Sequence, residues 1–183
     1  MTTTGRNGAR RKVRLIAIDL DGTLLNRGNT VSDANAAAVR DAVAAGVHIV
    51  IATARWYLLA KRTADALGVT SPIICHNGAM VRSPNDGARL LQLDVPAAEA
   101  IEIAAIADEG QYEAMATVGD VTYLLTRRPD VDPAKLPGGM LQTSRLSEHV
   151  AQGVESFLFF GQRRCAGMRA RVGDTYAGIL NFA

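Results

Sequence analysis

Leu15-Ile16-Ala17-Ile18-Asp19-Leu20-Asp21-Gly22-Thr23-Leu24-Leu25 is the stretch on which the fold of this chain turns. Four apolar residues run directly into two carboxylates one residue apart, and then into a Gly-Thr turn. A short continuous apolar run bounded by turn signals predicts a buried strand of a parallel sheet. Asp19 and Asp21 then stand at the carboxyl end of that strand, where open α/β sheets place their ligands. Two carboxylates held this close repel each other, and one pKa rises unless a cation shares the site. Mg²⁺ is the cation suited to a few hard oxygens plus a substrate phosphate. The stretch therefore predicts a metal-assisted phosphate site with Asp19 and Asp21 as ligands.

The residues on either side extend the pattern. Gly22 lets the backbone leave the strand sharply, and the Thr23 hydroxyl can lock the turn. After a polar, Gly-containing excursion over 26–30, Ser32 is placed to cap a helix, with Val31 before it as a staple. The inner face of that helix reads Ala36, Val39, Val43, and Gly46 is placed to end it. Residues 47–52 form a second apolar strand, so strand, helix and strand make a right-handed crossover and a parallel pair. A second helix is expected over 56–67, with Leu58, Leu59, Ala66 and Leu67 apolar and Gly68 closing it. A third strand follows over 72–75. From about residue 81 the texture changes to hairpin signals: strands flank 83–87, and again Gly119-Asp120. Between them Pro96 opens a helix whose apolar positions include Ala97, Ile101, Ala104 and Ala105. A strand over 156–160 and a helix over 162–172 complete the pattern. The fold class is α/β, with no internal repeat.

Asp19-Leu20-Asp21-Gly22-Thr23 resembles the first motif (DxDGT) of the haloacid dehalogenase (HAD) superfamily. Thr53-Ala54-Arg55, after the second strand, resembles the second motif. His76-Asn77-Gly78-Ala79 resembles the Asn-Gly-Ala segment of the Cof-type branch. The resemblance implies a Rossmannoid parallel core with an inserted α/β cap of subclass IIB. Its activity would be that of a Mg²⁺-dependent hydrolase of small phosphate monoesters. It makes Asp19 the nucleophile that becomes an aspartyl-phosphate and Asp21 the general acid/base. An aspartate that carries the phosphoryl group splits one hard step into two. Thr53, Ala54, Arg55, Asn77 and Gly22 are the phosphate- and substrate-binding candidates. Ala54 stands where the branch usually has Gly, and its methyl crowds backbone N–H groups that face the phosphate. The family's mechanism uses no histidine, so His76 is read as structural.

By the same resemblance the expected division is a basic disordered tail over 1–12, the first half of the core over 13–82, and a cap over 83–183. The cap is expected to be incomplete at its carboxyl end. A complete member returns to the core with a Lys motif and an acidic Gly-Asp turn, and no segment here matches either. The expectation is a truncated member with impaired catalysis, whose first strand is left as an apolar edge open to self-association or to a covering partner. The rival reading is a catalytically dead fragment that binds a phosphorylated ligand or complements a partner chain. A response-regulator receiver fits poorly, because receivers pair adjacent acids at the first strand. A Rossmann dinucleotide site is excluded at its expected place, since no Gly-x-Gly-x-x-Gly follows the first strand.

Bulk properties are those of an ordinary globular chain. The chain has 183 residues, 48% apolar and 21% charged, which is ordinary globular composition. Its net charge of +2 misleads: Arg6, Arg10, Arg11, Lys12 and Arg14 precede the first acid, and the remaining 15 basic and 18 acidic residues leave −3. That basic head has no interleaved aromatic residue, which argues against nucleic acid as a partner. The head lacks a signal-peptide apolar stretch, and no apolar run is long enough to span a membrane. Cys75 and Cys165 have no metal-ligand spacing and read as reduced thiols of a cytoplasmic protein. The partner expected is a small phosphorylated metabolite.

Overall fold

The computed structural model describes residues 12–173, 175 and 176, with the backbone only over 162–164. Of the tail expected over 1–12, residues 1–11 lie outside the described residues, as does the apolar run over 177–183. β1 (Leu15–Ile18) and β2 (His48–Ile51) pair in parallel, from Leu15 opposite His48 to Ile18 opposite Ile51. Parallel neighbours need a crossover, and α1 (Asp33–Ala44) supplies it. Its first turn is capped by Ser32, whose Oγ accepts the Asn35 N–H at 3.2 Å, a contact typically worth ~1 kcal/mol. Val39 is buried on the inner face, with Ala36 and Val43 packed beside it. Gly46 then takes a φ of +77°, which a side chain resists, and turns the chain into β2.

α2 (Tyr57–Leu67) begins after Trp56 and ends at Gly68, whose φ is +68°. Its buried residues are Tyr57, Ala60, Ala64 and Leu67. Of the apolar set expected from the sequence only Leu67 is fully buried, and Ala66 is exposed. The small side chains of Ala60 and Ala64 let the helix sit close, and the Tyr57 hydroxyl is anchored by donating to the Ser83 carbonyl at 2.8 Å. β3 (Ile73–Cys75) continues the parallel series beside the end of β2, where the Thr53 N–H donates to the Ile74 carbonyl at 2.9 Å. β4 (Met80–Arg82) and β5 (Arg89–Gln92) add an antiparallel hairpin to β3. The boundary expected at residue 83 cuts through this hairpin: β5 pairs with β4, not with the later strands.

The later residues build a separate four-stranded sheet in the order β8-β7-β6-β9. β6 (Ala114–Val118) and β7 (Val121–Leu125) form the expected hairpin, with Gly119 at a φ of +64°. β9 (Ser156–Phe159) lies antiparallel to β6, and β8 (Met140–Thr143) lies parallel to β7. No strand is expected from the sequence at β8, although Gly138-Gly139 directly before it is a turn signal, with Gly139 at a φ of +85°. α3 (Ala97–Glu109) packs Ala100, Ile103, Ala104 and Ala107 into a second apolar core, beside Met168 of α4 (Gln162–Val172). Ile101, one of the apolar positions of this helix, is 43% exposed. α3 is apolar nearly all round, so its pattern alone does not choose the face.

β1 is not buried as its composition alone predicts, but is the apolar edge that the resemblance leads one to expect: its Leu15 is 55% and its Ile16 38% exposed, because among the described residues only β2 pairs with it. The first core is built instead from Leu20, Leu24 and Leu25 after the strand, with Ile49, Ile51 and Ile73. Leu15→Thr is therefore expected to change stability by no more than about 0.5 kcal/mol, whereas Ile51→Ala costs about 2–5 kcal/mol. Denaturant unfolding of the two variants checks this, and a comparable loss from both contradicts the open edge.

Candidate active site

Asp19 follows β1 directly and Thr53 lies two residues past β2. The pairing of the two strands runs on to the Ala52 N–H, which donates to the Ile18 carbonyl at 3.0 Å. Both residues thus sit at the same end of neighbouring parallel strands. Beyond Asp19 the chain curls into a turn in which the Leu24 N–H donates to the Asp19 carbonyl at 3.2 Å and the Leu25 N–H to the Leu20 carbonyl at 2.8 Å. Gly22 makes that turn with a φ of +73°. Leu20 is fully buried between the two aspartates, which are both exposed. Apolar anchoring of Leu20, Leu24 and Leu25 therefore presents the acids to solvent.

Arg55 ties the pieces together. Its Nε donates to Asp21 Oδ2 at 2.9 Å and its Nη2 to Asp21 Oδ1 at 2.6 Å, a two-pronged guanidinium–carboxylate pair. The same Nη2 donates to Asn29 Oδ1 at 2.6 Å. The Arg55 main-chain N–H donates to Thr53 Oγ1 at 3.2 Å, so one residue joins the second strand end to the carboxylates. The hydrogen bonds from Arg55 hold the Asp21 carboxyl below its ordinary range, against the opposing effect of burial. Asp21 and, at longer range, Asp19 raise the Arg55 pKa in turn. The cation that sequence reasoning required beside two close acids is thus present as a side chain.

Asn29 was not among the sequence candidates. It projects from the excursion over 26–30, which Asn26 braces by accepting the Gly28 and Thr30 N–H groups at 2.8 and 3.1 Å. A polar loop with an Asn at a φ of +58° was the available signal. Ala54 is exposed between Thr53 and Arg55. Asn77 is exposed too, and its N–H donates to the Thr53 carbonyl at 3.3 Å, which sets the third strand end beside the second.

The residues fit a divalent cation only in part. Aspartate oxygens are the right donors, but both Asp21 oxygens are taken by Arg55. Among the described residues no group of three or more His, Cys, Asp or Glu side chains could hold a metal ion. Mg²⁺ dehydrates reluctantly and wants near-octahedral oxygens, so this donor set alone does not hold it well.

Comparison with known proteins follows the same lines. A family model for haloacid dehalogenase-like hydrolases matches residues 16–156. The 5-amino-6-(5-phospho-D-ribitylamino)uracil phosphatase YcsE of Bacillus subtilis is 41% identical over 73 residues, which is 40% of this chain and 29% of that protein. A haloacid dehalogenase-like hydrolase from Bacteroides thetaiotaomicron superposes with a TM-score of 0.79 at 18% identity, over 94% of this chain and 68% of that one. A second, from B. subtilis, gives 0.73 at 22% identity, over 88% and 67%. The fold is thus that of a parallel α/β core carrying an α/β cap, and the match to YcsE spans less than a third of that relative.

Carboxyl NMR of the aspartates checks the electrostatics. Asp21 titrates below its ordinary 3.8, and Arg55→Gln moves it upward. Because its folded pKa is depressed, the stabilisation it gives is present above about pH 4 and is lost as pH falls through the folded value. An Asp21 titration unchanged by Arg55→Gln contradicts the pairing.

Proposed function

Since the chain belongs to the haloacid dehalogenase-like hydrolase family, we propose that it serves the hydrolysis of small phosphate monoesters, with Asp19 as nucleophile. Residues up to the β4–β5 hairpin act as the core in this reading, and the later sheet with α3 and α4 acts as the cap over it. The observation that carries the reading is the junction of two parallel strand ends through Arg55, beside an exposed Asp19. Asp19 Oδ attacks phosphorus as the ester P–O bond breaks, leaving an aspartyl-phosphate and an alcohol. Thr53, by its hydroxyl, and the Ala54 main-chain N–H bind the phosphoryl oxygens, since the Thr53 and Arg55 N–H groups are engaged within the protein. Water then attacks phosphorus, gives a proton to Asp21, and frees phosphate from Asp19.

Asp21 enters this scheme constrained. Held ionised by Arg55, it is ready as the base of the second step. To protonate the leaving oxygen in the first step it must take up a proton, which requires Arg55 to turn away. Mg²⁺, when bound by Asp19 and Asp21, would supply positive charge against the phosphoryl oxygens. With a partial donor set and a clamped Asp21, turnover by this chain is slow. The clamp also favours a second reading, in which the site binds a phosphorylated ligand without hydrolysing it.

Among the described residues no helix is long and apolar enough to cross a membrane. A water-borne metabolite of the cytoplasm is the substrate class this reading assigns.

Steady-state hydrolysis of an aryl phosphate with Mg²⁺ is the test. The expected result is turnover below about one per second, lost in Asp19→Asn. Hydrolysis that survives Asp19→Asn contradicts the role of Asp19. Saturable binding of inorganic phosphate with no hydrolysis at all selects the second reading.

A further inference from the structure

The turn that follows β3 is built against its own preference. His76, Asn77 and Gly78 take φ values of +51°, +54° and +93° in succession, a left-handed run that suits Gly and Asn better than it suits His76. Its backbone touches the site loop twice: the His76 N–H donates to the Arg55 carbonyl at 3.1 Å, and the Asn77 N–H to the Thr53 carbonyl at 3.3 Å. Its one buried side chain points the other way, into the later half of the protein. His76 Nδ1 lies 2.8 Å from Ser156 Oγ, and Nε2 lies 3.4 Å from Glu155 Oε2. Both side chains of that last pair are almost wholly buried, at 2% and 3% exposure. Ser156 begins β9 and Glu155 directly precedes it, and both are fixed to the four-stranded sheet, where the Glu155 N–H donates to the Thr117 carbonyl at 2.8 Å.

We propose that His76 is a positioning residue: gripped by Glu155 and Ser156, it latches the start of β9 onto the strained 76–78 turn and so fixes the main chain of the 53–55 loop. The functional meaning of the latch rests on the reading of that loop as the phosphate site, but its mechanics do not. The pair is chemically matched. Burial lowers the His76 pKa to about 4 and raises that of Glu155 to about 7, so the imidazole is neutral. Its single ring proton serves one of the two contacts, Nδ1 to Ser156 Oγ or Nε2 toward Glu155, and the Ser156 hydroxyl or the Glu155 carboxyl proton can serve the other. Neither Glu155 oxygen makes a hydrogen bond of ordinary geometry among the described residues; the nearest cationic or imidazole nitrogens are His76 Nε2 at 3.4 Å from one and Arg89 Nη2 at 3.5 Å from the other. Arg82, Asp94, Asp120 and Cys75 are the other charged or titratable groups around the pair. A buried acceptor this poorly served leans on His76. The strain of the turn is thus held from outside, by the element that a moving cap would carry with it.

Hydrogen exchange of the full chain, read by mass spectrometry on peptides over 50–58 and 73–82, tests the latch without using activity. His76→Ala is expected to cut protection of the 53–55 and 76–79 amides at least tenfold. Asp120→Asn, which loosens the separate Arg82–Asp120 contact, leaves 53–55 within twofold. His76→Asn, which tolerates the turn and keeps a polar atom toward Ser156, restores protection, and adding Ser156→Ala removes the rescue. Should His76→Ala not fold, Ser156→Ala alone is expected to lower protection at 53–55 at least threefold. Protection at 53–55 that stays within twofold in a folded His76→Ala, or in Ser156→Ala, overturns the proposal, as does an equal loss in Asp120→Asn. Aryl phosphate hydrolysis by the same proteins reads the phosphatase reading separately: altered exchange without any hydrolysis in the wild type leaves the latch standing and removes that reading.

Discussion

The parallel pairing of β1 with β2 is the constraint from which the rest follows. Two parallel neighbours cannot be joined by a tight turn, so the chain must travel back through α1 before it can pair. That return trip puts the carboxyl ends of both strands on one side. Whatever polar residues follow the strands are then collected there without any further device. β3 repeats the operation through α2 and adds a third end, so Asp19, Thr53 and Asn77 all follow from one topological rule. The hydrogen bonds from Ala52 to Ile18 and from Thr53 to Ile74 carry the pairing into the site itself.

Electrostatics settles what the collected residues can do. Two exposed aspartates one residue apart need a positive neighbour, and the protein supplies its own in Arg55. A guanidinium fork satisfies both oxygens of Asp21 at once and leaves Asp19 outside the pair. This division gives the two acids different characters: one is held and ionised, the other is free at the surface. It also means that a metal ion and Arg55 compete for Asp21. The exposure of Asp21, 53% for its side chain, limits what the ion pair adds to stability. Its consequence lies in the state of the carboxylate.

Much of this was legible in the sequence, and for physical reasons. Apolar runs ending in Asp19 and Thr53 announce strand ends, Ser32 announces a cap, and Gly68 and Gly119 announce turns that only a left-handed residue makes easily. What was hidden depends on partners rather than on local pattern. α2 and α3 carry more apolar residues than one face needs, so which ones are buried is decided by Ala60, Ala64, Ala100 and Ala104 at the contacts. β1 looks buried by composition, while the family resemblance already leaves it as an edge, and among the described residues only β2 pairs with it, so Leu15 is exposed. The pairing of Arg55 with Asp21 spans 34 residues and leaves no local trace. The grip of Glu155 on His76 is hidden in the same way, since each residue taken alone reads as an ordinary polar side chain.

The proposed role of Asp19 separates a hydrolase from a binding fragment, and covalent capture addresses it most directly. The chain is mixed with an aryl phosphate, quenched in acid, digested, and the peptide carrying Asp19 and Asp21 is fragmented in the mass spectrometer. The account predicts a phosphoryl group on Asp19, none on Asp21, and none on the peptide from Asp19→Asn. Release of phosphate with no adduct on Asp19, or an adduct that persists in Asp19→Asn, would contradict it.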